Sequence, residues 1–320
     1  MVLFKEDVNF ATVVGKVRAL ESRLFSSGEW ERLLSAKSFS DFLRILTDTP
    51  YGRFVSPGDT FEGFQTKLIG GFFSELEELD SLCPEDLFLY YFRYKVDLGN
   101  IKRILYGILS DKEVSLYQGG TLSVELLEEI KRKKDLTLLK SLPYPWDIIK
   151  DSDLEPVFWT YYLEQGYFNG LLELSRNYSY QLLYALITTE IDLENLKMAL
   201  RIRISNYPDR YKDFFYLGGT IDVDFFKKIL DTPLNDWSEN NILEVLGLKE
   251  YINNPMGLEK TIDEKLMDLL SISRYTAFGY EPVLNYLFRK EIENKNILFL
   301  FSGFSYGLSS NTLRGGIRGL

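Results

Sequence analysis

A chain of 320 residues with a hydrophobic fraction of 45% and an aromatic fraction of 15% can bury more than one core, and its ordinary charged fraction argues against disorder. The formal net charge of −10 disfavours nonspecific binding to nucleic acid or anionic lipid, which needs clustered Lys and Arg. Histidine is absent, which excludes Ser-His-Asp and Cys-His nucleophile activation, imidazole metal ligation and imidazole acid-base catalysis.

In chain order, Lys5, Glu6 and Asp7 stand where a secretory h-region would lie, which predicts a cytoplasmic protein. Phe10, Val13, Val14, Val17, Leu20 and Leu24 share one face at helical spacing. Ser26-Ser27-Gly28 and Thr49-Pro50-Tyr51-Gly52 are helix-ending punctuation. Cys83 is the only cysteine, so neither an intrachain disulfide nor a thiolate zinc cluster is possible; beside Pro84 it reads as a small, buried or half-buried residue. Leu98, Ile101, Ile104, Leu105 and Ile108 predict another amphipathic helix. Lys131-Arg132-Lys133-Lys134, after Glu128 and Glu129, reads as a solvated helix end, where cations are favourable. Further breaks fall at Leu142-Pro143-Tyr144-Pro145, Tyr207-Pro208-Asp209 and Thr232-Pro233, none long enough for a flexible linker. The best apolar run, Ile297-Leu298-Phe299-Leu300-Phe301, is far short of the ~18 residues of a membrane span. Strand signals are sparse, and the prediction is an all-α fold.

The chain repeats itself. Val96-Asp97-Leu98-Gly99-Asn100-Ile101-Lys102 returns as Ile191-Asp192-Leu193-Glu194-Asn195-Leu196-Lys197, and again, more loosely, as Ile292-Glu293-Asn294-Lys295-Asn296-Ile297. Acid and Asn keep their three-residue separation each time. Tyr117-Gln118-Gly119-Gly120-Thr121-Leu122-Ser123-Val124-Glu125 likewise returns as Tyr216-Leu217-Gly218-Gly219-Thr220-Ile221-Asp222-Val223-Asp224. Two ordered matches at nearly one offset define units over 1–112, 113–212 and 213–320. The segment Arg23–Leu34 parallels the helix–turn–helix at Leu105–Leu127, so the first unit is read as beginning the chain. The acid is expected at the start of its helix, complementing free N–H groups, and the Asn is expected to bond across to a neighbouring backbone. Gly-Gly is expected to turn the chain through positive φ before the next helix.

Asp97, Asp192 and Glu293 admit a catalytic reading as a carboxylate set, in which the chain is a helical hydrolase or transferase. Convergence in one pocket would favour that reading; equal placement in separate repeats argues against it. The glycine pairs at Gly70, Gly119, Gly218 and Gly315 lack the GxxxxGK[ST] spacing of a phosphate loop and read as turns. The aromatic blocks Phe88-Leu89-Tyr90-Tyr91-Phe92, Phe158-Trp159-Thr160-Tyr161-Tyr162 and Tyr178-Ser179-Tyr180 lack interleaved cations and read as core rather than as a base-stacking platform. No catalytic, cofactor-binding or metal-binding residue is assigned, no cofactor is expected, and no residue is singled out for partner contact.

The assembled pattern resembles the C subunit of the V-type (A-type) ATPases and ATP synthases, the counterpart of the d subunit of eukaryotic vacuolar enzymes. The resemblance rests on Val17-Arg18-Ala19-Leu20-Glu21-Ser22-Arg23-Leu24, the acid–x–x–Asn helices, the Tyr-x-Gly-Gly-Thr turns and Thr312-Leu313-Arg314-Gly315-Gly316-Ile317-Arg318, and it spans essentially the whole chain. The third copy departs from it, with Leu298 in place of Lys after Asn296-Ile297. The resemblance implies a funnel of three similar helical domains with pseudo-three-fold symmetry. It implies a rotor part without a catalytic site, peripheral at the inner face of the membrane. Its implied partners are the D and F subunits of the central stalk and the membrane proteolipid ring, with torque serving proton or sodium transport, and no nucleotide or nucleic acid.

Overall fold

The computed structural model describes residues 6–56, 58–150, 155–205, 213–233, 237 and 255–320. Helical segments account for 74% of the structure, far above the ~30–35% of an average globular protein, and no strand occurs among the described residues. The α-helices are α1 (Ala11–Glu21), α2 (Ser27–Leu34), α3 (Phe39–Thr47), α4 (Phe61–Asp80), α5 (Tyr90–Ser110) and α6 (Val124–Lys133). They continue with α7 (Trp159–Asn177), α8 (Gln181–Ser205), α9 (Val223–Leu230), α10 (Pro255–Leu270), α11 (Glu281–Ser305) and α12 (Ser310–Gly316). None of these is long and apolar enough to cross a membrane. The break at Tyr207-Pro208-Asp209 lies outside the described residues.

Two compact units emerge. One comprises Glu85–Trp237 and is here the middle unit; the other joins Phe4–Pro84 to Ser238–Leu320 and is the end unit.

In the middle unit the aromatic blocks are mostly core, although Tyr178 is half exposed. Phe88, Leu89, Tyr91 and Phe92 are buried at the start of α5, as are Trp159 at the start of α7 and Tyr180 just before α8. Phe158 stacks on Phe214 at 5.2 Å, and the Tyr161 hydroxyl donates to the Phe215 carbonyl at 2.8 Å. The basic run behaves as predicted: α6 stops at Lys133, and Lys134, at φ 51°, closes the helix in the left-handed region. Lys131 and Lys133 reach back to Glu128 and Glu129 one turn earlier; the Lys133 pair is exposed and the Lys131 pair half-buried.

The end unit is built from both ends of the chain. Val13, Val14, Val17 and Leu20 form the buried stripe of α1, as their spacing dictates. Trp30, Leu33 and Leu34 of α2, Phe42, Ile45 and Leu46 of α3, and Phe64 and Leu68 of α4 share one core with Ile297, Leu300, Phe301 and Phe304 of α11. Two ring stacks tie the halves together, Phe64 on Phe301 at 4.7 Å and Phe42 on Phe304 at 5.1 Å. Helix starts are fixed locally. Ser26 and Glu29 form a reciprocal capping box at α2, and Ser38, Thr60 and Ser309 cap α3, α4 and α12.

Candidate functional site: helix-borne clamps

An acid and an Asn three residues apart lie on the same helix face. The structure places Asp97 and Asn100 in the middle of α5, Asp192 and Asn195 in the middle of α8, and Glu293 and Asn296 in the middle of α11. This corrects the expectation that the acids begin their helices. Each reaches sideways to hold a separate segment of chain, and Glu293 also pairs within its own helix, with Lys290.

On α5, Asp97 Oδ2 accepts from the Thr121 amide at 2.8 Å and the Thr121 hydroxyl at 2.5 Å, while Oδ1 accepts from the Leu122 amide at 3.2 Å. Asn100 pairs with the Tyr117 backbone in both directions, its Nδ2 donating to the carbonyl at 2.8 Å and its Oδ1 accepting from the amide at 2.9 Å. The α8 clamp repeats this bond for bond. Asp192 accepts from the Thr220 amide at 3.1 Å, the Thr220 hydroxyl and the Ile221 amide at 3.0 Å, and Asn195 pairs with the Tyr216 backbone at 2.8 and 2.7 Å. The sideways reach expected of Asn is therefore present.

Each glycine of the Gly-Gly turn has its own reason. Gly119 and Gly218 both sit at φ 103°, where L side chains are strained. Gly120 and Gly219 lie so close to the Asp97 and Asp192 carboxylates that any Cβ would collide with Oδ1. Ser123 and Asp222 then cap α6 and α9. The other two glycine pairs differ from expectation: Gly70-Gly71 lies inside α4 and Gly315-Gly316 ends α12. Gly71 admits the Phe54 ring, and Gly316 the Phe299 ring, against the helix backbone.

On α11 the acid is a Glu and its partners are different. Glu293 Oε2 accepts from the Phe25 amide at 2.5 Å, and Oε1 accepts from the Tyr51 hydroxyl at 2.5 Å and Lys290 Nζ at 3.1 Å. Asn296 makes the same two-way backbone pair as its counterparts, now with Arg318, at 3.0 Å in each direction. Where α5 carries Lys102, bonded to Glu164 of α7, α11 carries Leu298, packed against the hydrophobic core.

All three acids are at most 4% exposed. Burial raises the Asp97 and Asp192 carboxyls above their ordinary value, and the bonds from Thr121 and Leu122 or from Thr220 and Ile221 offset this only in part. Burial, then the Glu293 charge, raises the Tyr51 hydroxyl well above the usual tyrosine range. A second buried ionic group in the end unit behaves oppositely. Burial pushes Asp263 up, but Lys295 at 2.9 Å and the Arg318 guanidinium outweigh it and hold the carboxyl below its ordinary value.

Chemically, these carboxylates are occupied. Each is committed to its own segment of backbone, so the arrangement fixes turns and offers no free acid-base pair. Among the described residues no group of three His, Cys, Asp or Glu side chains is placed to hold a metal ion. A cleft of about 620 Å³ beside α6 is open and lined mostly by charged side chains, and one of about 410 Å³ beside α4 is open and lined by charged side chains at half of its positions, unlike the apolar, enclosed pockets typical of small-molecule sites. Sequence reasoning misses Phe25, Tyr51, Lys290 and Arg318 as clamp partners. The sequence marks that neighbourhood through the breaks at Ser26-Ser27-Gly28 and Thr49-Pro50-Tyr51-Gly52 and the Arg23–Leu34 parallel, none of which points to Glu293.

Comparison with known proteins places the chain in a family. The profile of the ATP synthase (C/AC39) subunit family matches residues 13–316. The C subunit of the A-type ATP synthase of Halobacterium salinarum is 25% identical, with 96% of each chain covered. The C subunit of the V-type ATP synthase of Deinococcus radiodurans is 22% identical, over 96% of this chain and 90% of the relative. The C subunit of the A-type ATP synthase of Methanosarcina mazei is also 22% identical, over 97% of this chain and 93% of the relative. With a family profile spanning nearly its whole length, the chain belongs to the ATP synthase (C/AC39) subunit family.

Proposed function

We propose that this chain is a non-catalytic rotor-coupling subunit of an A/V-type ATP synthase. In this reading it joins the D and F subunits of the central stalk to the membrane proteolipid ring and passes torque between them during proton or sodium transport. The observation that carries the reading is the family match over residues 13–316, together with relatives named as the C subunit of such complexes. The absence of histidine and the engagement of every repeat acid in holding backbone agree with a part that transmits force rather than one that turns over substrate.

The three repeat units 1–112, 113–212 and 213–320, with their pseudo-three-fold funnel, belong to this proposal, as does a peripheral position at the inner face of the membrane. A socket that turns with its shaft needs a stalk contact of standard size, at least ~1,200 Å². Reconstitution tests the reading: purified rings and stalk-bearing soluble sectors are mixed with and without the protein, and ATP-driven ion pumping is compared with ATP hydrolysis. Adding the protein should restore pumping while changing hydrolysis much less. Equal coupling in its absence would overturn the proposal.

A further inference from the structure

The clamps of the middle unit hold an unbroken turn. Asn100 holds Tyr117 and Asp97 holds Thr121 and Leu122, and Ser123 then caps α6. The α11 clamp holds two segments that are far apart in the chain: Asn296 holds Arg318, and Glu293 holds Phe25. Phe25 precedes the cap Ser26 as Leu122 precedes Ser123 and Ile221 precedes Asp222.

The correspondence continues into the following helix. Four residues beyond the cap stand Trp30, Leu127 and Phe226, all buried, and seven beyond it stand Leu33, Ile130 and Ile229, also buried. Three helices therefore present the same face after the same clamped residue, although Arg23–Leu34 and Glu293 are separated by most of the chain.

We infer that α2 and its clamped turn, which fall within 1–112 in sequence, complete the third copy of the repeat in space, its turn being supplied in two unconnected pieces by residues 23–26 and 317–319. The seat on α11 is accordingly an internal recognition surface for a capped, apolar helix start. It presents a carboxylate to one backbone N–H, an amide to one backbone pair, and an apolar bed to Trp30 and Leu33. The third copy is thereby completed within the end unit, by segments drawn from both halves of that unit. This holds whether or not the rotary reading is correct.

A split turn has a signature that a continuous one lacks, because its two halves can be released separately. In the full-length chain, Asn296→Ala should speed amide exchange at Arg318 about 10-fold or more while Phe25 stays protected, and Glu293→Ala should do the reverse. Asn100→Ala should instead loosen Tyr117 and Leu122 together, since one short turn joins them. If Glu293→Ala fails to fold, Glu293→Gln and Tyr51→Phe keep the packing and allow the same reading at Phe25. A protease site placed after Pro84 supplies the second arm: after cleavage of the folded chain, the fragment ending at Pro84 should co-elute with the remainder. Unchanged exchange at Phe25 when Glu293 loses its charge, joint release of Phe25 and Arg318 in Asn296→Ala, or departure of the fragment in native buffer would each overturn the inference.

Discussion

The α5 and α8 clamps of the middle unit and the α11 clamp of the end unit perform one task with different means. The first two grip a turn that follows their own helix within about thirty residues, and a short Asp suffices because two glycines let the turn come up against it. The third grips a segment from the opposite end of the sequence. It does so with a longer Glu, a tyrosine hydroxyl and a lysine, and with Phe25 where the others have Leu122 and Ile221. The difference teaches that close approach can be secured either by removing a Cβ or by lengthening the acid. The second solution brings a buried cation with it.

That cation sets the largest expected effect. Lys290 is 13% exposed and leans over the Tyr51 ring at 4.5 Å, so Glu293→Ala leaves a nearly buried charge without its carboxylate as well as an unpaired Phe25 amide. Breaking a buried pair in this way costs roughly 3–5 kcal/mol. Asp97→Ala and Asp192→Ala leave unsatisfied backbone donors without stranding a paired lysine, and should cost about 1–3 kcal/mol each. Chemical denaturation of the three variants checks the order. Equal losses at all three sites would break the distinction between short and long clamps.

Smaller substitutions sharpen it further. Gly119→Ala and Gly218→Ala place a side chain at φ 103°, with an expected loss of about 1–2 kcal/mol, measurable as a lowered melting temperature. The end unit's clamp has no such glycine pair before Phe25, since Ser22 and Arg23 stand at the equivalent positions, and alanine at Arg23 should be close to neutral.

The smallest effects are those of pH, and their signs differ between the units. An acid whose pKa is raised on folding holds its proton longer in the native state. The stability from Asp97 and Asp192 is therefore present at low pH and falls as pH rises from about 3.9, the unfolded value, through their native values. Asp263 is lowered, so its contribution is present above about 3.9 and is lost as pH falls through its native value. Carbon-detected NMR titration of the carboxyls should show the first two above the ordinary aspartate range and Asp263 below it. A reversed order would remove this part of the contrast.

Much of the fold is legible in the sequence because it is local. The apolar stripe of α1, the break at Ser26-Ser27-Gly28, the basic end of α6 and the recurrence of acid–x–x–Asn all depend on spacings within one or two turns. Twin glycines signal a turn correctly where they follow Tyr117 and Tyr216. The same signal misleads at Gly70, because the reason for a small residue there is the Phe54 ring, which arrives from another element. The general preference of carboxylates for helix starts points the repeat acids to the wrong place, since their true role depends on what lies across the helix face. The bond from Glu293 to Phe25 spans 268 positions and leaves no periodic trace, so no pattern in sequence announces it.

Trp30 gives that bond an optical consequence. Of the four tryptophans, Trp146, Trp159 and Trp237 belong to the middle unit, and Trp30 alone belongs to the end unit. It is 5% exposed and meets the Phe25 ring edge-on at 5.0 Å, directly beside the clamped amide. The red shift and quenching of its indole emission on contact with water thus report on the joint between the two chain ends. A protein in which Trp146, Trp159 and Trp237 are replaced by Phe would carry a single native chromophore, whose emission follows that joint without an added label.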